Sequence, residues 1–541
     1  MQVSNDSHQS TKREYRRGIS RSTFTQTTTQ WKENRLLQRF AEMTPALGHV
    51  CEFHDGEHYH HPDLVDQDDL RAEFALAMSA MYKQEVPLYG DLVQIVREVN
   101  QAVIEEGNTA NRAFEEERLD LEGHGAIRLG SEQELRVIRR VFALIGLYPV
   151  GYYDLSVADL PMHATAFRPV SQRALARNPF RVFTTILRPN LLEPRSRELA
   201  LSMILRRKIF TDQLLDHIEQ GEAHGGFTRI QASSFIHEAL NTFRWQHSAA
   251  CSFEDYQTLK SEHPILADIS CFGTAHINHL TPRTLDIDRA YTLMKSRGLK
   301  VKDGIEGPPR RSVPVLLRPT SFLALEERTL FRGRGGLATA VFQGMHKAHF
   351  GEIEQRGAAV TPKGRSLYDA VLAEVSHFDW VSDFNARLPD NWNDLLEQGL
   401  VYCLYRVQKT DLSQGFNRIA RAEPVSVQQL LKDGILEAIP QTYEDFLPIS
   451  AAGIFRSNLS ESGSSESSHF SNASSGTAER KPDMEHDHQF PKGNWSFSDQ
   501  DGFEEALGCK VMDPYQWYAN AQGESLQECS RILGLAISER V

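Results

Sequence analysis

The 541-residue chain is 40% hydrophobic and 24% charged, with a formal net charge of −13. That balance allows a sizeable apolar core and excludes the basic surface that phosphate backbones or anionic lipid require, so no nucleic-acid partner is expected. No stretch approaches the roughly 20 apolar residues of a bilayer span, and the N-terminus lacks the apolar core of a secretory signal. The chain reads as soluble and cytoplasmic, with a small-molecule substrate. Its cysteines (Cys51, Cys251, Cys271, Cys403, Cys509, Cys529) are scattered with no Cys-x-x-Cys pair, which argues for buried reduced thiols over a disulfide framework or zinc knuckle.

Residues 1–62 read as a disordered extension, rich in Ser, Thr, Gln and Arg near the start. The same Arg- and Ser-rich composition leaves organelle import as an alternative, weakened by Asp6, Glu14 and Glu33. His54, His58, His60 and His61 lie among Asp, Gly and Pro, the setting of solvated loop histidines. Helical apolar spacing begins at Leu70, with Pro87 dividing two helices that run to Val103.

Residues 63–459 read as one α+β catalytic domain. Strand-like runs such as AIRLG, LYPVGYYDL, HATAFRPV, VPVLLRPTSF and HFGEIEQRGAAV alternate with helical patterns covering much of Ser196 to Trp245, and with another from Asp411 to Leu436. Residues 460–500 form a Ser-rich insertion with too few apolar groups to offset chain entropy. Helical spacing returns over 501–541, a segment expected to pack on the domain.

No P-loop, dinucleotide-binding glycine motif or Gly-x-Ser-x-Gly elbow is present. FIHEALNTF fails as a zinc-protease helix because Asn241 stands where the second histidine is needed. Three other segments carry chemistry. In GHGAIRLG, His124 and Arg128 share a face on strand or helix, so one could ligate a metal while the other reads an anion. In GTAHINHLTPRTLDID, His276 and His279 have opposite parity on a strand, so only one is expected to face a given pocket. In HFGEIEQRG, Glu352, Glu354 and Arg356 share one strand face. Two imidazoles and one carboxylate on separate strands would form a facial triad suited to ferrous iron. These residues alone do not choose between His276 and His279, or between Glu352 and Glu354.

These blocks, with YKQEVPLYG, RVFTTILR, EGPPRR, FGEIEQRGAAVTPKGR and EDFLPISAAGIF, resemble the 2-oxoadipate dioxygenase/decarboxylase family over most of the chain. The resemblance implies a vicinal-oxygen-chelate-like incomplete β-barrel with large helical insertions. It implies Fe(II) held by His124, His279 and Glu352, and a substrate contacted by His124, Arg128, His279, Ile449 and Ser450, with Arg128 pairing the distal carboxylate. Ile449 stands where relatives carry valine, a conservative change. The implied reaction converts 2-oxoadipate and O2 into (R)-2-hydroxyglutarate and CO2, as in lysine catabolism. Two other readings keep the residues but change the outcome. One is the same fold and metal acting on another 2-oxo acid. The other is a metal-binding interaction protein without catalysis, against which the joint presence of His124, His279, Glu352 and Arg128 counts.

Overall fold

A computed structural model of the chain describes residues 63–107, 122–323, 325–333, 341–374, 380–408, 424–447 and 499–538. The extension over 1–62, the insertion up to residue 498, and Ile449 and Ser450 lie outside them.

The first described helix, Gln67–Glu85, starts at Asp66, whose carboxylate accepts the backbone N–H groups of Asp68 (2.9 Å) and Asp69 (3.3 Å). Leu70, Phe74, Met78 and Tyr82 recur every four residues and bury one face. Pro87 opens the helix Pro87–Glu105, where a missing N–H is tolerated.

The strands that position the site are, in chain order, β1 (Glu122–Leu129), β2 (Tyr148–Asp154), β3 (Met162–Arg168), β4 (Arg181–Leu187), β5 (Ser248–Ser252), β6 (His279–Pro282), β7 (Leu317–Ser321), β8 (Glu326–Arg332), β9 (Val341–Lys347) and β10 (Glu352–Arg356). The main sheet runs β2-β3-β4-β1-β6, with β1 and β4 parallel and the other pairs antiparallel. β10 pairs antiparallel with β7 and meets the chain just after β6 through an Arg283–Glu354 bridge. The strands thus curve round one face without closing. β3 and β4 are buried along their whole length although both carry polar residues, among them His163, Thr165, Arg168, Arg181, Thr184 and Thr185.

The helices Pro194–Ile204, Asp212–His224 and Arg229–Phe243 fill the connection between β4 and β5, so the fold is α+β with a large helical insertion. β5, β8 and β9 form a separate sheet. Of the stretch read as helical from Asp411, the described part holds the short strand Val425–Ser426 and the short helix Val427–Lys432, and a further strand starts at Leu436. No helix among the described residues is long and apolar enough to cross a membrane. Cys251, Cys271, Cys403 and Cys529 are buried free thiols, but Cys509 is disulfide-bonded, which corrects the expectation of reduced thiols throughout. A single bridge needs no recurring cysteine spacing, only two sulfurs brought within reach by the fold.

The C-terminal helix Pro514–Leu533 packs on the strand Cys403–Val407, whose N–H groups at Cys403 and Tyr405 donate to Gln522 (3.0 Å) and Ser525 (3.0 Å). From this helix the buried Tyr518 hydroxyl donates to Asp445 (2.8 Å) and accepts the Glu444 N–H (2.7 Å). Tyr518→Phe leaves both partners short of a bond in a dry place, so the unfolding free energy should fall by roughly 1 to 3 kcal/mol. Chemical denaturation checks this, and an unchanged midpoint would mean that water replaces the hydroxyl.

Candidate metal centre

Register brings the two imidazoles together. On the β1–β6 ladder Ala126 faces His279 and Thr281 faces His124, so both histidines project from the same face as diagonal neighbours, with ring centroids 5.3 Å apart. Because β1 is a strand, His124, Ala126 and Arg128 also share that face.

β10 supplies the carboxylate. Glu352 Oε1 lies 3.3 Å from His124 Nε2, and its Oε2 lies 3.4 Å from His279 Nε2. One ligand atom from each of His124, His279 and Glu352 falls within 4.8 Å of the others, and all three side chains are buried. The glycines flanking His124 permit this approach. A Cβ on Gly123 would stand 2.5 Å from Glu354 Oε1 and 2.8 Å from the Thr281 carbonyl, and one on Gly125 would stand 2.7 Å from Ile277.

Glu354 and His276 do other work. Glu354 Oε2 lies 2.9 Å from His124 Nδ1, which leaves Nε2 directed at Glu352 and at the Thr281 hydroxyl (3.2 Å). Arg181 (3.1 Å) and Arg356 (2.7 Å) also donate to Glu354. Burial pushes the Glu354 carboxyl up, but these two guanidinium groups and His124 hold it well below the usual range. Among the described residues no guanidinium touches Glu352, and burial raises its carboxyl despite His124 beside it. Burial lowers the His124 imidazole, but Glu354 and Glu352 outweigh it and the net shift is upward. Burial, then His124 and Arg128, drive His279 well below its ordinary value.

His276 precedes β6, and its Nε2 lies 3.3 Å from Asp268 Oδ1 and 3.2 Å from the Asn278 side chain. Arg128 is buried, and its Nη1 donates to Asp268 Oδ2 at 2.5 Å. His237 is an exposed residue of the helix Arg229–Phe243.

Aromatic rings close the surroundings. Phe446 stands edge-on to His124 with centroids 4.8 Å apart, and Phe350 lies 4.6 Å from the His279 ring. The Tyr82 hydroxyl donates to the carbonyls of Phe350 (2.5 Å) and Asn278 (3.2 Å), tying together the backbone entering β10 and β6. Sequence reasoning did not single out Arg181, Asp268, Thr281, Tyr82 or Phe446. Thr281 lies in the same short motif as His279, and Tyr82, Arg181 and Phe446 lie in blocks that carry the family resemblance, but nothing local marked their roles.

Two imidazoles and a carboxylate gathered on the open face of an α+β sheet define a candidate mononuclear metal-centre protein. The model of the 2-oxoadipate dioxygenase/decarboxylase family matches residues 74–458, and the chain belongs to that family of enzymes. It is 44% identical over 477 residues to the 2-oxoadipate dioxygenase/decarboxylase of Escherichia coli, a match covering 86% of this chain and 98% of that one. The Pseudomonas putida protein of the same name is 43% identical over 492 residues, covering 87% and 98%. A crystal structure of the hydroxyglutarate synthase from Pseudomonas putida in complex with 2-oxoadipate superposes with a TM-score of 0.73 at 41% identity, covering 87% of this chain and all of that one.

Glu354→Gln keeps the shape but removes a charge that two buried guanidinium groups need. The unfolding free energy should drop by roughly 3 to 5 kcal/mol, read as a lower denaturant midpoint. A parental midpoint would show that the cations are balanced elsewhere.

Proposed function

We propose that this chain is an Fe(II)-dependent 2-oxoadipate dioxygenase/decarboxylase that converts 2-oxoadipate and O2 into (R)-2-hydroxyglutarate and CO2. The observation that carries the reading is the meeting of His124, His279 and Glu352 at one buried point, in a chain of this family. The donor set fits ferrous iron. It offers two imidazole nitrogens and one carboxylate and no thiolate. Glu352, whose carboxylate no arginine among the described residues touches, suits a dication. Bound there, ferrous iron would act as a Lewis acid toward the 2-oxo acid and supply the redox chemistry for O2.

The protein's own contribution is positioning. Glu354, engaged with His124 Nδ1, holds the imidazole orientation that presents Nε2. On the same face of β1, Arg128 stands about 13 Å along the strand from His124 at roughly 3.3 Å per residue, a span that a six-carbon diacid bridges. Arg128 would pair the distal carboxylate while the 2-oxo acid end lies at the metal. Ile449 and Ser450 are proposed to line the same substrate. Phe446 and Phe350 limit water at the reacting end.

Anaerobic loading with Fe(II), followed by O2 and 2-oxoadipate, should release CO2 and 2-hydroxyglutarate in equal amounts. Oxygen uptake without decarboxylation would sink the reaction as written. His124→Ala, His279→Ala and Glu352→Ala should each lose the bound iron, while His276→Ala keeps it. Glu354→Ala should fall between, with metal affinity down by roughly 10- to 100-fold. Iron content by elemental analysis decides; an iron-free His276→Ala beside an iron-loaded His279→Ala would reverse the choice of histidine.

Arg128→Ala should lower kcat/KM for 2-oxoadipate by roughly 30- to 1000-fold, at about 1.4 kcal/mol per decade. Iron content should stay normal. The preference over 2-oxohexanoate, which lacks the distal carboxylate, should collapse; if the mutant keeps it, the carboxylate is read elsewhere.

A further inference from the structure

Asp268 lies on the helix Pro264–Cys271, in which every residue from Ile265 to Cys271 is buried. It is itself 2% exposed, and the structure gives its two oxygens separate tasks. Oδ2 accepts Arg128 Nη1 at 2.5 Å. Oδ1 lies 2.9 Å from His346 Nε2 and 3.3 Å from His276 Nε2. His346, on β9, is held in turn at Nδ1 by the Tyr256 hydroxyl (3.0 Å). The indole of Trp245 stacks on His346 at 5.7 Å with a 9° interplanar angle and meets His276 edge-on at 4.8 Å. Phe272 covers His346 at 4.6 Å.

An arginine side chain has several rotatable bonds and loses rotamer entropy when it is fixed. Here that ordering is complete before any ligand arrives. A guanidinium also carries five N–H donors, so one engaged by Asp268 does not exhaust its capacity for a second carboxylate. Asp268 is anchored from three directions on a buried helix, so it determines where along the pocket the Arg128 head stands.

We propose that Asp268 is the positioning residue for Arg128, and that this buried carboxylate, seated between Arg128, His276 and His346, selects the chain length of the diacid that spans from the metal centre to the guanidinium. The inference rests on the proposed role of Arg128. It adds a residue from another element, 140 positions away in the chain.

The test compares parent, Asp268→Ala and Asp268→Asn with 2-oxoglutarate, 2-oxoadipate and 2-oxopimelate, and with 2-oxohexanoate as the monoacid control. In Asp268→Ala, KM for 2-oxoadipate should rise about 10-fold or more, and the three diacids should converge to within about 3-fold in kcat/KM as the guanidinium regains its freedom. Iron content and turnover of 2-oxohexanoate should hold. Asp268→Asn, which keeps the shape and one acceptor oxygen, should recover part of the discrimination. Parental discrimination in Asp268→Ala, or a loss of 2-oxohexanoate turnover in step with the diacids, overturns the proposal. Calorimetric ranking of glutarate, adipate and pimelate needs no turnover. A parent that ranks these acids yet oxidises no 2-oxo acid sinks only the reaction reading. An identical ranking in parent and Asp268→Ala, or no ranking in the parent, sinks the role of Asp268.

Discussion

A carboxylate taken fully out of water costs several kcal/mol unless opposite charge and hydrogen bonds meet it, and much of this structure follows from meeting that demand at Glu354. Arg181 from β4 and Arg356 from β10 donate to it, and His124 from β1 lies against it. Arg356 also donates to Glu444, and Arg168 at the end of β3 donates to Asp445 at 2.8 Å. Three buried carboxylates, Glu354, Glu444 and Asp445, thus stand among three buried guanidinium groups, Arg168, Arg181 and Arg356. No element of this group can move away alone without leaving a charge unmatched in an apolar interior.

The centre inherits its precision from that constraint. Glu354 orients His124, and the arginines that stabilise Glu354 lead through Glu444 and Asp445 to Tyr518 on the C-terminal helix. A helix near the end of the chain is therefore joined to an imidazole on the first strand by contiguous polar contacts. Around Arg128 the fold repeats the device, with the buried carboxylate of Asp268 set between Arg128, His276 and His346. Burial pushes Asp268 up, yet Arg128 and His276 hold it well below the usual carboxylate range.

Local patterns were legible because they depend on neighbours a few residues apart. The strand-like runs became β1, β2, β3, β7 and β10, and the helical spacing from Leu70 became two helices divided at Pro87. The shared face of His124 and Arg128, and that of Glu352, Glu354 and Arg356, followed from strand geometry alone. The long motifs carried the family, which the match over residues 74–458 shows.

What the sequence determined by itself was therefore the periodicity of the elements, the family, and the short list of residues able to do chemistry. Only the tertiary structure decided which of them meet. His276 and His279 are three residues apart with similar surroundings in the chain. Yet the bend before β6 sends one to Asp268, while the register against β1 sets the other beside His124 and Glu352. Glu352 and Glu354 share a face of β10, and their separation comes from Arg181, 173 positions from Glu354, which makes one a matched charge and leaves the other facing the two imidazoles. Electrostatic partners and strand register are set by parts of the chain that no local window contains.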